Sequence, residues 1–263
     1  MSNAKIGFWG GGKMAEGIMS AIGGGSGVVV AERVPERAAE LRRRYGATVA
    51  KDLREVVRAA KIVFLAVRPQ DAEGVAAEVR GALGSSHTVV SIVAGKTLSW
   101  LRRAFGPKPA LVRVMPNLAL RANAGMCAIC PAKGVKPSVV KKVESILGGA
   151  GETVVLAERH FDAVTALSGS GPAYFAYMQK AMADGGAALG LPRGVANLLA
   201  AQTMYGTAKF LRESGMDLDA FIAGVCTKGG TTAAGMEKLS DPRFAKIVAD
   251  TLAAAAHRSE ELR

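Results

Sequence analysis

Residues Ile6–Trp9 form a short apolar run that stops at Gly10-Gly11-Gly12-Lys13-Met14-Ala15. A run of this composition reads as a strand, and Met14 to Ile22 carries apolar side chains at helical spacing. Three glycines between them fix a tight turn, so the chain opens on a strand–turn–helix. Gly10 permits the turn, Gly12 lets another group approach the backbone, and Ala15 keeps the helix close to the sheet. A second strand, Val28–Ala31, runs into Glu32, twenty residues past Gly12. The G-x-G-x-x-A spacing followed by that acid is the fingerprint of a dinucleotide-binding βαβ unit. The N–H groups of the helix start, at Lys13 and Met14, then face phosphate together with the positive end of the helix dipole.

Glu32 and Arg33 pull in opposite directions. An acid at this point binds the adenosine ribose hydroxyls and repels a 2′-phosphate, whereas an adjacent arginine holds that phosphate. From these two residues alone the choice between nicotinamide dinucleotides stays open.

The opening unit repeats. Apolar runs follow at Ile62–Val67, Thr88–Val93, Leu111–Val114, Gly125–Ile129 and Thr153–Leu156. Helical patterns lie between many of them, at Glu36–Tyr45, Leu53–Ala60, Ala72–Leu83, Leu98–Phe105 and Ser138–Leu147. The alternation predicts an α/β fold, a doubly wound and mainly parallel sheet over residues 1–158. The near-continuous run Ile62–Val67 fits a strand buried on both faces. Beyond Glu158 no convincing strand follows. Helical spacing governs Tyr174–Leu189, Ala196–Glu213 and Ala245–Leu262, and Pro172, Pro192 and Pro242 each precede such a run. Residues 159–263 therefore read as an all-helical second domain. Its last helix is alanine-rich and apolar on more than one face, the pattern of a helix that buries against a second copy of the chain.

Composition removes several function classes. No apolar run reaches the roughly 18 residues of a membrane span, and no signal-like segment opens the chain, so the reading is cytoplasmic. Met1–Ala4 is given no role. The formal net charge is +12, which favours anionic small molecules. Nucleic-acid binding asks for basic residues on one face or among aromatics; here they are scattered, and Arg42-Arg43-Arg44 ends a helix, where cations suit the dipole. Cys127 and Cys130 form a C-x-x-C inside a strand pattern, where positions three apart face opposite sides about 10 Å apart. That geometry serves neither a redox pair nor zinc. No metal-ligand cluster and no Ser-His-Asp set stand out, and the histidines are His87, His160 and His257.

Two further segments have unusual composition. Leu167-Ser168-Gly169-Ser170-Gly171-Pro172-Ala173-Tyr174 places small residues at the entrance to the first long helix of the second half. Thr227-Lys228-Gly229-Gly230-Thr231-Thr232 sets two glycines and two hydroxyls before a short helix, a nest suited to a carboxylate or phosphate, or a plain cap.

With these segments the chain resembles the pyrroline-5-carboxylate reductases nearly end to end. The resemblance is carried by the glycine turn, Ala66-Val67-Arg68-Pro69-Gln70, Ser91-Ile92-Val93-Ala94-Gly95 and Val112-Arg113-Val114-Met115-Pro116-Asn117. Thr165 through Tyr174 and Gly229-Gly230-Thr231-Thr232 complete it, in the same order and spacing. It implies reduction of the cyclic imine 1-pyrroline-5-carboxylate to proline, the last step of proline biosynthesis, with hydride from NADPH or, as the alternative, NADH. A protonated imine is already electrophilic, so positioning supplies most of the catalysis. The resemblance further implies that the N–H groups of Gly230 and Thr231, with Gly229 and the Thr227 hydroxyl, hold the substrate carboxylate. Thr232 would hydrogen-bond the ring nitrogen as the catalytic residue. Gly10, Gly12, Lys13, Met14, Glu32, Arg33, Ala66, Val67, Arg68, Pro69, Ala94 and Asn117 would hold the cofactor. It also implies a homodimer or a ring of dimers, with the active site at the domain and subunit interface.

The chain departs from the family pattern at Lys13, where asparagine is usual, at Leu118, where a hydroxyl is lost, and at Glu32, commonly neutral in NADPH users. Two rival classes remain. A related imine or oxo-acid reductase of the hydroxyacid-dehydrogenase kind needs a catalytic lysine, for which Lys180 is the candidate. A non-catalytic dinucleotide sensor is the other, kept alive by Leu118.

Overall fold

The computed structural model describes residues 5–23 and 27–263, so Met1–Ala4 lies outside the described residues. Eight strands form one sheet in the order β3-β2-β1-β4-β5-β6-β7-β8. In chain order the first unit runs β1 (Lys5–Trp9), α1 (Lys13–Ala21), β2 (Val28–Ala31), α2 (Pro35–Tyr45), β3 (Thr48–Val49), α3 (Leu53–Ala59) and β4 (Ala60–Leu65). It continues with α4 (Ala72–Val79), β5 (Thr88–Ser91), α5 (Leu98–Phe105), β6 (Ala110–Pro116), β7 (Gly125–Pro131), α6 (Pro137–Gly148), β8 (Gly151–Val155) and α7 (Phe161–Val164). Every pairing is parallel except β6 with β7. The expected doubly wound sheet is present.

The strand period of two explains how the sheet is covered. Phe8, Val28, Val30, Phe64, Val90 and Val112 face one side, where α1, α2 and α6 bring Ile18, Leu41 and Leu147. Their neighbours Trp9, Val29, Val63, Leu65 and Val89 face the other, against Val56 and Val57 of α3, Val79 of α4 and Leu101 and Phe105 of α5. Phe8 stacks on Phe64 and Trp9 on Phe105. Each such fully buried side chain contributes about 1.5–3 kcal/mol.

The strand expected at Ile62–Val67 lies at Ala60–Leu65 instead. Helix α3 hands over to it without a loop, and Lys61 points to solvent, which hid its start. Strand β3 was not anticipated; two residues are too few to show a period. The helix expected over Ala72–Leu83 stops at Val79, and Arg80–Ala82 winds on as a 3₁₀ turn. Cys127 and Cys130 lie in β7 and pack into different clusters on opposite faces, as strand alternation requires. Burial pushes the Cys127 thiol up to about 12 and raises Cys130 as well.

The helical part contains α8 (Gly171–Ala188), α9 (Arg193–Ser214), α10 (Leu218–Val225), α11 (Thr231–Leu239) and α12 (Pro242–Glu261). Helix α10 was not anticipated, although Asp217 caps it by accepting from the Asp219 and Ala220 N–H groups. Pro172 and Pro242 stand inside the first turns of α8 and α12, and Pro192 caps α9. The chain divides into one compact unit of residues up to 170 together with 255–263, and a second of 171–254. No helix of the described residues is long and apolar enough to cross a membrane.

Candidate active site

Sheet order turns back on itself between β1 and β4, because the chain crosses from one edge of the growing sheet to the other. At such a point the carboxyl ends of neighbouring strands splay apart and leave a crevice. A cleft of about 1070 Å³ lies there. The glycine turn, Glu32 and Arg33 after β2, and Ala66, Val67, Arg68 and Asp71 after β4 wall it. Gly10 has φ +93, and a Cβ there would stand 2.8 Å from the Ala66 carbonyl oxygen, so this position requires glycine. A Cβ on Gly12 would meet nothing within 4 Å, which leaves that side of the turn open to a ligand. Gly12 caps α1 without a side chain to accept from its first turn. Those N–H groups are the donors a pyrophosphate needs.

Around the turn sits a polar lattice that spacing had not revealed. The Glu32 carboxylate accepts from the Gly11 N–H at 2.8 Å and the Val34 N–H at 3.0 Å. Arg37 Nε donates to the Gly11 carbonyl at 2.8 Å while its Nη2 pairs with buried Glu16 at 2.7 Å. Both polar groups of Gly11 are thus engaged. Across the cleft Asp71 accepts from Arg33 and from Arg68, each at 3.1 Å. The Arg33 hydrogen bond first, and that of Arg68 second, hold its carboxyl below the usual carboxylate range. Arg37 and Gly11 were missed because their partners are distant in sequence, and Asp71 because Arg33, 38 residues away, is brought to it only by the fold.

The other expected cofactor residues lie along the same edge of the sheet, outside the cleft's walls. Lys13 is exposed and Met14 half-buried in the first turn of α1. Pro69 opens a 3₁₀ turn after β4, Ala94 is exposed in the turn after β5, and Asn117 follows β6. Asn117 is already occupied: Oδ1 accepts from the Met126 N–H at 3.2 Å and Nδ2 donates to the Ser168 hydroxyl at 3.4 Å. Ser168 belongs to a π-helical turn, Thr165–Gly169, which follows α7. A Cβ on Gly169 would stand 2.5 Å from Met115 Cε, so glycine there serves close packing.

In the second unit Thr227–Thr232 forms a turn into α11, with Gly229 at φ +73. The Gly230 N–H, assigned to the substrate carboxylate, donates to the Thr227 carbonyl at 2.9 Å and closes the turn. The first turn of α11 instead presents the N–H groups of Thr231, Thr232 and Ala233, which have no acceptor within the helix. Thr231 and Thr232 are both exposed. A Cβ on Gly230 would stand 2.5 Å from Thr227 Oγ1, so the hydroxyl sits directly beside the turn. Lys180, the candidate of the rival reading, is tied to Asp184 at 2.5 Å, and Asp184 also pairs with Arg193. Among the described residues no group of three or more potential metal ligands gathers.

Comparison with known proteins bears on both units. Residues 158–262 match the model described as pyrroline-5-carboxylate reductase dimerisation. Residues 5–95 match the one described as NADP oxidoreductase, coenzyme F420-dependent. A pyrroline-5-carboxylate reductase of Synechocystis is 36% identical over 98% of each chain, and that of Escherichia coli 35% over 98% of each. Among solved structures, the Coxiella burnetii reductase superposes with TM-score 0.94 at 28% identity, covering 99% of both chains. The Plasmodium falciparum pyrroline carboxylate reductase with NADP bound superposes at 0.88, with 26% identity, over 100% of this chain and 99% of that one.

Proposed function

This chain belongs to the pyrroline-5-carboxylate reductase family, and on that premise we propose that it reduces 1-pyrroline-5-carboxylate to L-proline with a nicotinamide dinucleotide. The observation that carries the reading is the start of α11. Three backbone N–H groups, the Thr231 and Thr232 hydroxyls and the Thr227 hydroxyl beside Gly230 lie at that start. Such a start recognises a small carboxylate. It also offers a hydroxyl to a ring nitrogen beside that carboxylate.

The roles divide by unit. In the first, Gly10 and Gly12 give the pyrophosphate access, the α1 N–H groups hold it, and Glu32 and Arg33 meet the adenosine ribose. Ala66, Val67, Arg68, Pro69, Ala94 and Asn117 border the nicotinamide. The reduced nicotinamide supplies a hydride. In the second unit the Thr231 and Thr232 N–H groups, with Thr227 Oγ1, orient the imino acid through its carboxylate. Thr232 Oγ1 holds the ring nitrogen and its proton, which fixes the carbon that accepts hydride. Gly229 and Gly230 shape the turn. Residues 159–263 form the helical dimerisation and substrate domain, assembling as a homodimer or a ring of dimers. The cytoplasm is its compartment.

The test follows NADPH and NADH absorbance with pyrroline-5-carboxylate. Wild type oxidises the dinucleotide only when substrate is present. Thr231→Pro deletes one donor at the first helical position, where proline is tolerated, and raises KM by about 10- to 100-fold. Thr232→Ala lowers kcat by about 10- to 100-fold. Absence of substrate-dependent oxidation with either dinucleotide would overturn the reading.

A further inference from the structure

We propose that the cleft prefers NADH over NADPH, and that the anchored Glu32 carboxylate sets the preference. The inference rests on reading the cleft as a dinucleotide site. Glu32 cannot swing aside cheaply. Its two oxygens each accept a backbone N–H, from Gly11 and from Val34, and rotating the side chain away would leave both donors unmatched. An ionised carboxylate has about four acceptor positions. With two used by the backbone, each oxygen retains one for a hydroxyl. A ribose diol brings two hydroxyl donors and completes the set. A 2′-phosphate brings acceptors and close to two negative charges, and meets repulsion instead.

The opposing reading makes Arg33 a phosphate clamp, and the geometry weighs against it. Arg33 and Arg68 lean on the same carboxylate, that of Asp71, which their guanidinium groups hold below its ordinary range. The Arg33 side chain is 81% exposed, where an ion pair with a phosphate is as weak as the one it makes with Asp71. The neighbouring Arg37 is spent on Gly11, Glu16 and Glu40. Around the cleft, acidic Glu32, Asp52, Asp71 and Glu78 outnumber basic Arg33, Lys51 and Arg68. A cleft built for an extra phosphate would carry the opposite balance.

Calorimetric titration of the full chain with each dinucleotide, without pyrroline-5-carboxylate, tests this. Wild type is expected to bind NADH at least about tenfold more tightly than NADPH at low ionic strength, with the gap narrowing as salt rises. Glu32→Gln closes most of the gap, mainly by tightening NADPH. Asp71→Asn removes an acid from the cleft wall and frees Arg33, and tightens NADPH more than NADH. Equal or tighter binding of NADPH by wild type overturns the proposal, as does a gap that widens with salt. If Glu32→Gln fails to fold, Asp71→Asn decides, and unchanged NADPH affinity in that variant counts against the proposal. Binding of neither dinucleotide removes the preference and the cleft assignment together. Preferential NADH binding without turnover of the imine would remove the reductase assignment and leave the preference standing.

Discussion

The two units of this chain bury their apolar side chains to very different extents. In the sheet unit Phe8, Trp9, Phe64, Phe105 and Phe161 are all fully buried, and both faces of the sheet are covered. In the helical unit the buried cluster consists of Ala183, Ala196 and Ala200, while Tyr177, Leu198, Phe175 and Tyr205 are between 62% and 75% exposed. Helices apolar on several faces do not persist in water uncovered. The sheet unit covers its own core. The helical unit, which matches a dimerisation model, completes its core by self-association. One chain therefore couples a half that buries its own apolar side chains to a half that leaves many of them exposed.

The contrast can be broken most directly in the sheet. Phe64→Ala should cost about 3–5 kcal/mol, read by denaturant titration of tryptophan fluorescence. Both tryptophans, Trp9 and Trp100, lie in the sheet unit, so the signal reports on that unit alone. A cost under about 1 kcal/mol would mean the core is not what holds it. Leu198→Asp probes the other side. It should weaken association by roughly 2–4 kcal/mol, seen as monomers in sedimentation at micromolar protein, with the fluorescence transition of the sheet unit left in place. If assembly survives, α9 is not the covered surface.

A smaller effect sharpens the comparison through pH. The Cys127 thiol is raised by burial to about 12, while an unfolded cysteine titrates near 8.5. Between these values the unfolded chain has lost the proton and the folded chain has kept it. Folded stability is therefore complete below the unfolded pKa and falls as pH rises, by about 1.4 kcal/mol per unit. Cys127→Ala should remove that slope in urea titrations at pH 9 to 10.5. Smallest of all, Lys246→Ala breaks an exposed i,i+4 pair with Asp250 on α12. It should change stability by less than about 0.5 kcal/mol, and a larger loss would show that this face of α12 is covered in the assembly.

The sheet unit was also the more legible half, because its determinants are local. A strand, a glycine turn and an acid twenty residues on are visible in one pass, and Leu98–Phe105 matches α5 residue for residue. Contacts across the fold were not visible. Glu32 reads as a ribose ligand by position, yet its grip on Gly11 depends on how β2 emerges beside the turn. Arg33 reads as a free cation, and Asp71 is brought to it only by the β4 crossover. At Thr227–Thr232 the composition announced a nest but not which N–H groups remain open. That is decided by the turn hydrogen bond from Gly230 to Thr227, which follows from backbone angles that the residue names leave free.

The sheet unit is not contiguous in the chain, and this has a consequence for how the protein is made. Residues 255–263 belong to it: Ser259 Oγ donates to Asp162 at 3.0 Å, Arg263 pairs with the same aspartate, and the Leu262 carbonyl lies against Gly95. During synthesis residues 171–254 must pass before these arrive, a wait of several seconds at about 5–20 residues per second. Until they arrive, the first unit lacks these contacts at Asp162 and Gly95. The order of translation thus makes the last turn of α12 the closing step of the first unit to emerge.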